Sequence, residues 1–166
     1  MKKAWGEFQE TIVNVNDMAQ PKDIFIIIRD WILKYNQLLL LDGVKEYSLY
    51  EYANININDY PIQYSSLKGD ELKIFKKNIT LPRRKSSDIG RVIRDALERL
   101  IIFEADRCCL QCGKYGLGVY EEPDLKKIVL ECNQCGYAMY ENKCPYNGGS
   151  RIVPATKTSL RTSGYI

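Results

Sequence analysis

A chain of 166 residues with 45% hydrophobic residues has enough apolar material for a folded core. Its formal net charge of +3 is far from the strongly basic balance that marks proteins binding phosphate backbones, although local clustering can still form a basic face. No segment approaches the roughly 20 apolar residues of a membrane span, and the lysines near the start precede no apolar run of a secretory signal. We therefore expect a cytoplasmic protein without a membrane partner.

Apolar residues at spacings of three and four predict two helices near the N-terminus. The first stripe runs from Trp5 to Met18. Pro21 suits the first turn of a second helix, whose stripe covers residues 24 to 39 and ends at the Asp-Gly pair at 42 and 43.

The middle of the chain is harder to interpret. Ser48 and Glu51 have the spacing of a capping box and predict a short helix. Residues 53 to 82 leave two alternatives open. The alternation in ANININ favours a short strand and the following proline and serines favour a loop, while the segment from Asp70 fits a helix or an edge strand.

The most regular helical stripe follows at residues 88 to 101. Its apolar positions recur over three turns, with charged residues between them. The seven apolar residues are Ile89, Val92, Ile93, Ala96, Leu97, Leu100 and Ile101.

Two matched cysteine pairs follow this helix. The pattern is Cys109-x2-Cys112, nineteen residues, and Cys132-x2-Cys135, with a glycine after each pair. This spacing fits the template of a four-cysteine zinc site, because a turn with two intervening residues aims both sulfurs at one point of a tetrahedron. A reduced cytoplasmic chain also favours metal binding over disulfides. We predict a structural Zn²⁺ bound by these four residues.

Three strand-like runs accompany the pairs. They begin GLGVY, KKIVL and GYAMY, and a turn with Pro123 and Asp124 separates the first two. Residues 107 to 143 resemble the zinc ribbon family. The resemblance implies a structural metal, often within proteins that bind nucleic acid or other proteins, and it implies no single activity.

Two further cysteines fall outside the template. If Cys108 were the ligand in place of Cys109, three residues would separate the first pair and the match to the template would be lost. We therefore expect Cys108 to be a small buried side chain. Cys144 fits either a spare thiol or a residue close to Cys108 in space. We assign no function to either.

The residue types argue against an enzyme. Four thiolates close a zinc site and leave no position for an activated water. The chain has no histidine and no phosphate-binding loop, and the acidic stretch EEPD at 121 to 124 falls on a turn, where solvated carboxylates are the simplest interpretation. We therefore predict no catalytic residue and no small-molecule substrate.

Two kinds of binding remain. A basic stretch favours nucleic acid, although the segment around the cysteines is rich in carboxylates. The cations concerned are Lys73, Lys76, Lys77, Arg83, Arg84, Lys85, Arg91 and Arg94. Twelve tyrosines, many in polar contexts, instead favour a protein interface.

The last sixteen residues, RIVPATKTSLRTSGYI, predict an extended segment and a short helix capped by Thr156, with Gly164 at its C-terminal turn. The chain resembles small bacterial immunity proteins in its small size, its lack of an active site and this PATK-x2-L-x3-G tail. That resemblance implies a compact non-enzymatic protein that binds and neutralises one toxin.

The sequence thus predicts an α+β protein with a mainly helical domain at 1 to 105, a three-stranded four-cysteine zinc ribbon at 106 to 144, and a C-terminal tail at 145 to 166. The favoured function is binding of a protein partner, in concrete form a bacterial toxin. The alternative is a nucleic-acid-binding regulatory protein that uses the basic stretch.

Overall fold

The computed structural model describes residues 1 to 40, 44 to 82 and 85 to 166. They form an α+β protein in which helices come first and an antiparallel sheet with the cysteines follows, which confirms the predicted fold class. The chain divides into an N-terminal unit, Met1–Ile57 with Ser65–Leu100, and a C-terminal unit, Asn58–Tyr64 with Ile101–Ile166. No helix of the described residues is long and apolar enough to cross a membrane.

The N-terminal unit is helical. Its α-helices are α1 (Lys2–Val13), α2 (Pro21–Lys34), α3 (Asn36–Leu39), α4 (Leu49–Ala53), α5 (Asp70–Ile79) and α6 (Ser86–Ile101). Aromatic rings join α1 to α2: the centroid of Trp31 lies 5.0 Å from that of Phe8 and 6.5 Å from that of Trp5. The Trp31 indole N–H also donates to the Ala4 carbonyl at 2.8 Å, so its polar group is paired inside the core.

The first helix is shorter than predicted. It ends at Val13, and Met18 is 79% exposed, so the expectation that the stripe continues to Met18 is wrong. The side chain of Asn16 accepts from the Met18 N–H at 2.8 Å, a local turn that competes with the helical hydrogen bond.

The second stripe is divided between two helices. Pro21 occupies the first turn of α2, as predicted, and Gln20 and Asp23 form a capping box there. At Tyr35, with φ of −111°, α2 ends and the short α3 begins. The predicted end at residues 42 and 43 lies outside the described residues.

The capping-box prediction at Ser48 is wrong, although the helix it precedes is present. Ser48 has a left-handed backbone with φ of 49°, and its side chain makes no capping hydrogen bond to α4. Farther on, Ile57–Asp59 and Ile62–Tyr64 form short 3₁₀ turns, and the segment from Asp70 is helical. Of the two alternatives for that last segment, the helix is therefore the one found.

The stripe of α6 is confirmed. All seven of its predicted apolar residues are buried, and none is more than 6% exposed. Leu97 and Ile93 are fully covered, so this helix supplies much of the core of the N-terminal unit.

Gly90 gives α6 a close contact that a larger residue would disturb. A Cβ at this position would lie 2.4 Å from Cδ2 of the Tyr47 ring. Gly90→Ala is expected to lower the free energy of unfolding by about 1–3 kcal/mol, although alanine favours a helix. Gly6→Ala in α1 is the matched control: nothing lies within 4 Å of its Cβ, so it should raise that free energy by about 0.5–1 kcal/mol. Urea unfolding of both variants tests the pair, and effects of equal sign would contradict the packing argument.

Glu7 makes the stability of the N-terminal unit depend on pH. Hydrogen bonds from the Lys34 ammonium and the Tyr35 hydroxyl hold the pKa of the Glu7 carboxyl below its ordinary value. A lowered folded-state pKa contributes stability that is fully present above the unfolded pKa and is lost as the pH falls through the folded pKa.

The free energies of unfolding of the wild type and Glu7→Gln should therefore differ most near pH 7 and converge below about pH 4. Urea unfolding from pH 7 to pH 3 measures this. Glu10→Gln, which removes a charge from the same helix but breaks no ion pair of the described residues, is the control. A constant difference between wild type and Glu7→Gln across this range would refute the prediction.

The C-terminal unit contains one antiparallel sheet. Its strands are β1 (Phe103–Cys108), β2 (Tyr115–Glu122), β3 (Lys127–Glu131), β4 (Ala138–Tyr140) and β5 (Val153–Pro154). The order is β1-β2-β3-β4, and β5 also pairs with β2. The predicted number of three strands is therefore wrong. Half of the residues of β1 (FEADRC) are charged, and β5 is only two residues long and contains a proline, so neither has a clear strand pattern.

The C-terminal segment is part of this unit's core. β5 pairs with Tyr120 and Glu121 of β2, and α7 (Lys157–Thr162) follows it. The Thr156 side chain accepts from the Ser159 N–H at 3.2 Å, as the predicted cap requires. Leu160 of α7 is fully buried in the same cluster as Val119 and Leu130 of the sheet.

Candidate metal centre

The strand order explains how the two cysteine pairs meet. β1 and β3 both lie antiparallel to β2, one on each side, so they run in the same direction and end at the same edge of the sheet. Cys109 directly follows β1, and Cys132 directly follows β3. Each pair thus begins at the end of a strand, and the two pairs lie side by side although about twenty residues separate them.

The two turns have the same hydrogen bonds. The Cys109 N–H donates to the carbonyl of Lys114 at 2.8 Å, and the Cys132 N–H donates to that of Tyr137 at 2.9 Å. The glycine after each pair donates back to the carbonyl of the first cysteine, at 2.9 Å in both turns. Both glycines have a left-handed backbone, with φ of +73° at Gly113 and +71° at Gly136, which only glycine adopts readily.

The four sulfurs have the spacing of a tetrahedral site. Cys109 Sγ lies 3.6 Å from Cys135 Sγ, Cys112 Sγ lies 3.6 Å from Cys132 Sγ, and all four lie within 4.8 Å of one another. Zinc bound at about 2.3 Å to four thiolates would separate the sulfurs by about 3.8 Å. Cys109 and Cys132 are buried and their partners are exposed. The cluster can therefore bind a metal ion such as zinc.

Hydrogen bonds and loss of water shift the pKa values of two of the thiols in opposite directions. Burial raises the pKa of the Cys109 thiol, but the N–H groups of Cys112 and Gln111 and the neighbouring thiols outweigh it, so the pKa falls to about 7. The N–H of Tyr137 lowers the pKa of Cys135, but loss of water and the other thiols raise it to about 12. Ionising all four thiols together is therefore costly without a cation, and a divalent ion would offset that repulsion.

The remaining two cysteines lie outside the cluster. Cys108 is exposed at the end of β1, so the expectation of a buried side chain is wrong. Cys144 is also exposed and unpaired by any disulfide.

The cations of the basic stretch lie on two helices and the segment between them. Lys73, Lys76 and Lys77 belong to α5, Arg91 and Arg94 to α6, and Lys85 directly precedes α6. Arg83 and Arg84 lie outside the described residues. Four of these cations form ion pairs with carboxylates of the same unit: Lys73 with Asp70, Lys76 with Asp17, Arg91 with Asp95, and Arg94 with Glu98. These carboxylates reduce the positive potential available to a phosphate backbone.

The tyrosines divide between internal and exposed roles. The hydroxyl of Tyr52 donates to Glu98 at 2.9 Å and that of Tyr140 to Glu122 at 3.1 Å, whereas Tyr50, Tyr64 and Tyr115 are each more than 50% exposed. The sequence distinguishes none of these roles, because a strand or helix edge and an interface both use tyrosine.

Glu122 is a buried carboxylate that the sequence interpretation missed, and it lies at the end of β2 opposite the cysteines. It was expected to be a solvated carboxylate of the turn, but it is 4% exposed. It accepts hydrogen bonds from Tyr140 and Ser150, which attach β4 and the following segment to β2. A buried carboxylate needs such partners, and no local pattern in EEPD indicates which of its acidic residues has them.

Neither a protein-family model, nor a curated protein, nor a solved structure matches this chain. The arguments for its function therefore come from its own residues and their geometry.

Proposed function

We propose that Cys109, Cys112, Cys132 and Cys135 bind one Zn²⁺ as thiolates, in the manner of a zinc ribbon, and that the ion stabilises the C-terminal unit. The observation that carries this proposal is the approach of all four sulfurs to within 4.8 Å of one another. The identical turns support it, because each presents its two sulfurs from one rigid backbone arrangement. The ion has a structural role, since four thiolates leave no position for substrate or water.

The protein acts, in this proposal, by binding another protein and catalyses no reaction. A closed metal site and the lack of histidine in the chain support this view. Large apolar side chains also lie exposed on both units, and such side chains commonly provide the contact area of interfaces. Those more than half exposed are Met18, Leu40, Tyr50, Tyr64, Ile74, Leu110, Tyr115 and Leu125.

The concrete form of this proposal is an immunity protein that neutralises a bacterial toxin. Such a protein needs a stable scaffold and one complementary surface, and it needs no catalytic group. The pairing of four of the basic cations with carboxylates favours a protein partner over nucleic acid, because those charges are already compensated.

The experiment that tests this function uses the zinc-loaded full chain as bait in a lysate of its source organism, with and without nuclease. Washes at about 150 mM and 500 mM salt separate the two kinds of partner, since phosphate contacts weaken steeply with salt. We expect one protein that survives both nuclease and high salt. If that protein is purified and has toxic activity, one equivalent of the chain should abolish the activity.

Two outcomes would overturn the proposal. Recovery of nucleic acid that is lost at high salt would assign the function to the basic stretch instead. A captured protein that retains full activity with excess chain would exclude immunity.

A further inference from the structure

An apolar pocket in the N-terminal unit has no role in the metal centre. It has a volume of about 180 Å³ and is lined mainly by Ile32, Leu39, Leu40, Val44, Leu49 and Tyr50. We propose that this pocket receives one apolar side chain of the protein partner, of the size of a phenyl group, next to a carboxylate of that partner. The inference rests on the proposed protein-binding function and deepens it by naming a contact.

The floor of the pocket is formed by buried side chains. Ile32 comes from α2, Leu39 from α3, Leu49 from α4, and Val44 from the segment before α4. These four side chains are between 0% and 7% exposed, so they are fixed by the core behind them. A pocket that exists before binding loses little conformational entropy when it is filled.

The size of the pocket limits what it can contain. A cavity of about 150 Å³ lined by aliphatic and aromatic side chains stays dry and accepts benzene. A volume of about 180 Å³ therefore has room for one phenyl or branched aliphatic group.

The rim shows exposed apolar surface beside the pocket. Leu40 is 57% exposed and Tyr50 is 55% exposed, although both are large apolar side chains. When an anchor side chain of the partner enters the pocket, the partner residues on either side of it would cover Leu40 and Tyr50. Both side chains would then be removed from water. Central pockets surrounded by such contacts are typical of the residues that dominate binding energy.

The charge at the rim of the pocket favours an acidic partner residue next to the anchor side chain. Lys45 lines the pocket with the neutral residues Asn36 and Ser48, and no ion pair joins Lys45 to a carboxylate of the described residues. An acidic residue of the partner beside the anchor would meet this ammonium, whereas a basic residue would be repelled. We therefore assign the occupant to a protein segment with an apolar side chain next to Asp or Glu.

The test uses two small probes with the zinc-loaded full chain. Phenylacetate carries a ring and a carboxylate, and phenethylamine carries the same ring and an ammonium. Methyl NMR should show saturable shifts at Ile32, Leu39, Val44 and Leu49 with a Kd on the order of 1 mM for phenylacetate. Phenylacetate should bind about three- to tenfold more tightly than phenethylamine, and Lys45→Glu should reverse this preference.

Absence of saturable shifts at these methyl groups, or an unchanged preference in Lys45→Glu, would overturn the inference. A second measurement uses the captured protein partner and substitutions at two exposed positions. Leu40→Asp should weaken partner binding at least tenfold, whereas Leu33→Asp, 40% exposed and not part of the pocket lining, should leave it within about twofold.

The results separate the two proposals. Equal partner binding by Leu40→Asp and the wild type would reject the pocket and leave the proposed function intact. Probe binding without any protein partner would reject the proposed function, and with it the assignment of the pocket to a partner.

Discussion

Replacing Cys112 with serine is expected to abolish zinc binding and to unfold the C-terminal unit. Structural zinc contributes about 10–16 kcal/mol of apparent binding free energy in small zinc domains, which equals or exceeds the total stability of a typical domain. The loss of one ligand therefore removes a large part of the stabilisation that the bound ion gives to this unit. The zinc content of the dialysed protein and calorimetric melting measure the two effects.

Cys108→Ser and Cys144→Ser are the controls for this change. Both residues are exposed thiols outside the cluster, so each variant should retain one zinc ion and the melting temperature of the wild type. Chelation of the wild type should reproduce the unfolding seen in Cys112→Ser. A Cys112→Ser variant with unchanged zinc content and melting temperature would show that the site is assigned wrongly.

Replacing Leu160 with alanine is expected to lower the free energy of unfolding of the C-terminal unit by about 2–5 kcal/mol. The side chain is fully buried in α7, where it packs in the cluster of sheet residues. Its removal leaves a cavity that the surrounding strands can only partly close. Chemical unfolding of the zinc-loaded protein, followed by the NMR signals of tyrosines in this unit, measures the loss of unfolding free energy.

Arg161→Ala is the control, because Arg161 is exposed on the same helix. It should change the free energy of unfolding by less than about 0.5 kcal/mol. Both variants should retain one zinc ion, since neither residue belongs to the cysteine cluster. A loss below about 1 kcal/mol in Leu160→Ala would mean that the C-terminal segment is only loosely attached to the sheet.

The cysteine cluster and the helix α6 illustrate what local sequence determines. Both depend on short repeats whose spacing has one geometric interpretation: two intervening residues for a metal-binding turn, and steps of three or four positions for a helix face. The seven apolar residues of α6 and the four clustered sulfurs therefore lie where the pattern places them.

Other features depend on contacts between distant residues. Nothing near Pro154 indicates that it pairs with Tyr120, and nothing near Glu122 indicates that Ser150 approaches it. Met18 satisfies the helical spacing, but α1 ends at Val13, and a turn in which Asn16 accepts from the Met18 N–H follows it. Cys108 is likewise exposed at the end of β1, and no local pattern in the sequence indicates this exposure.

The C-terminal unit combines two segments that are far apart in the sequence, and this affects how the chain folds during synthesis on the ribosome. Its segment Asn58–Tyr64 is synthesised long before its partners: the Asn58 carbonyl accepts from Lys157 Nζ at 3.0 Å across 99 positions, and the Tyr64 ring contacts that of Phe103. At about 5–20 residues per second, those positions take roughly 5–20 s to translate. During that interval the apolar side chain of Ile62, 6% exposed in the finished fold, lacks its native cover. This segment therefore stays without its partners in the C-terminal unit until those later residues have been made.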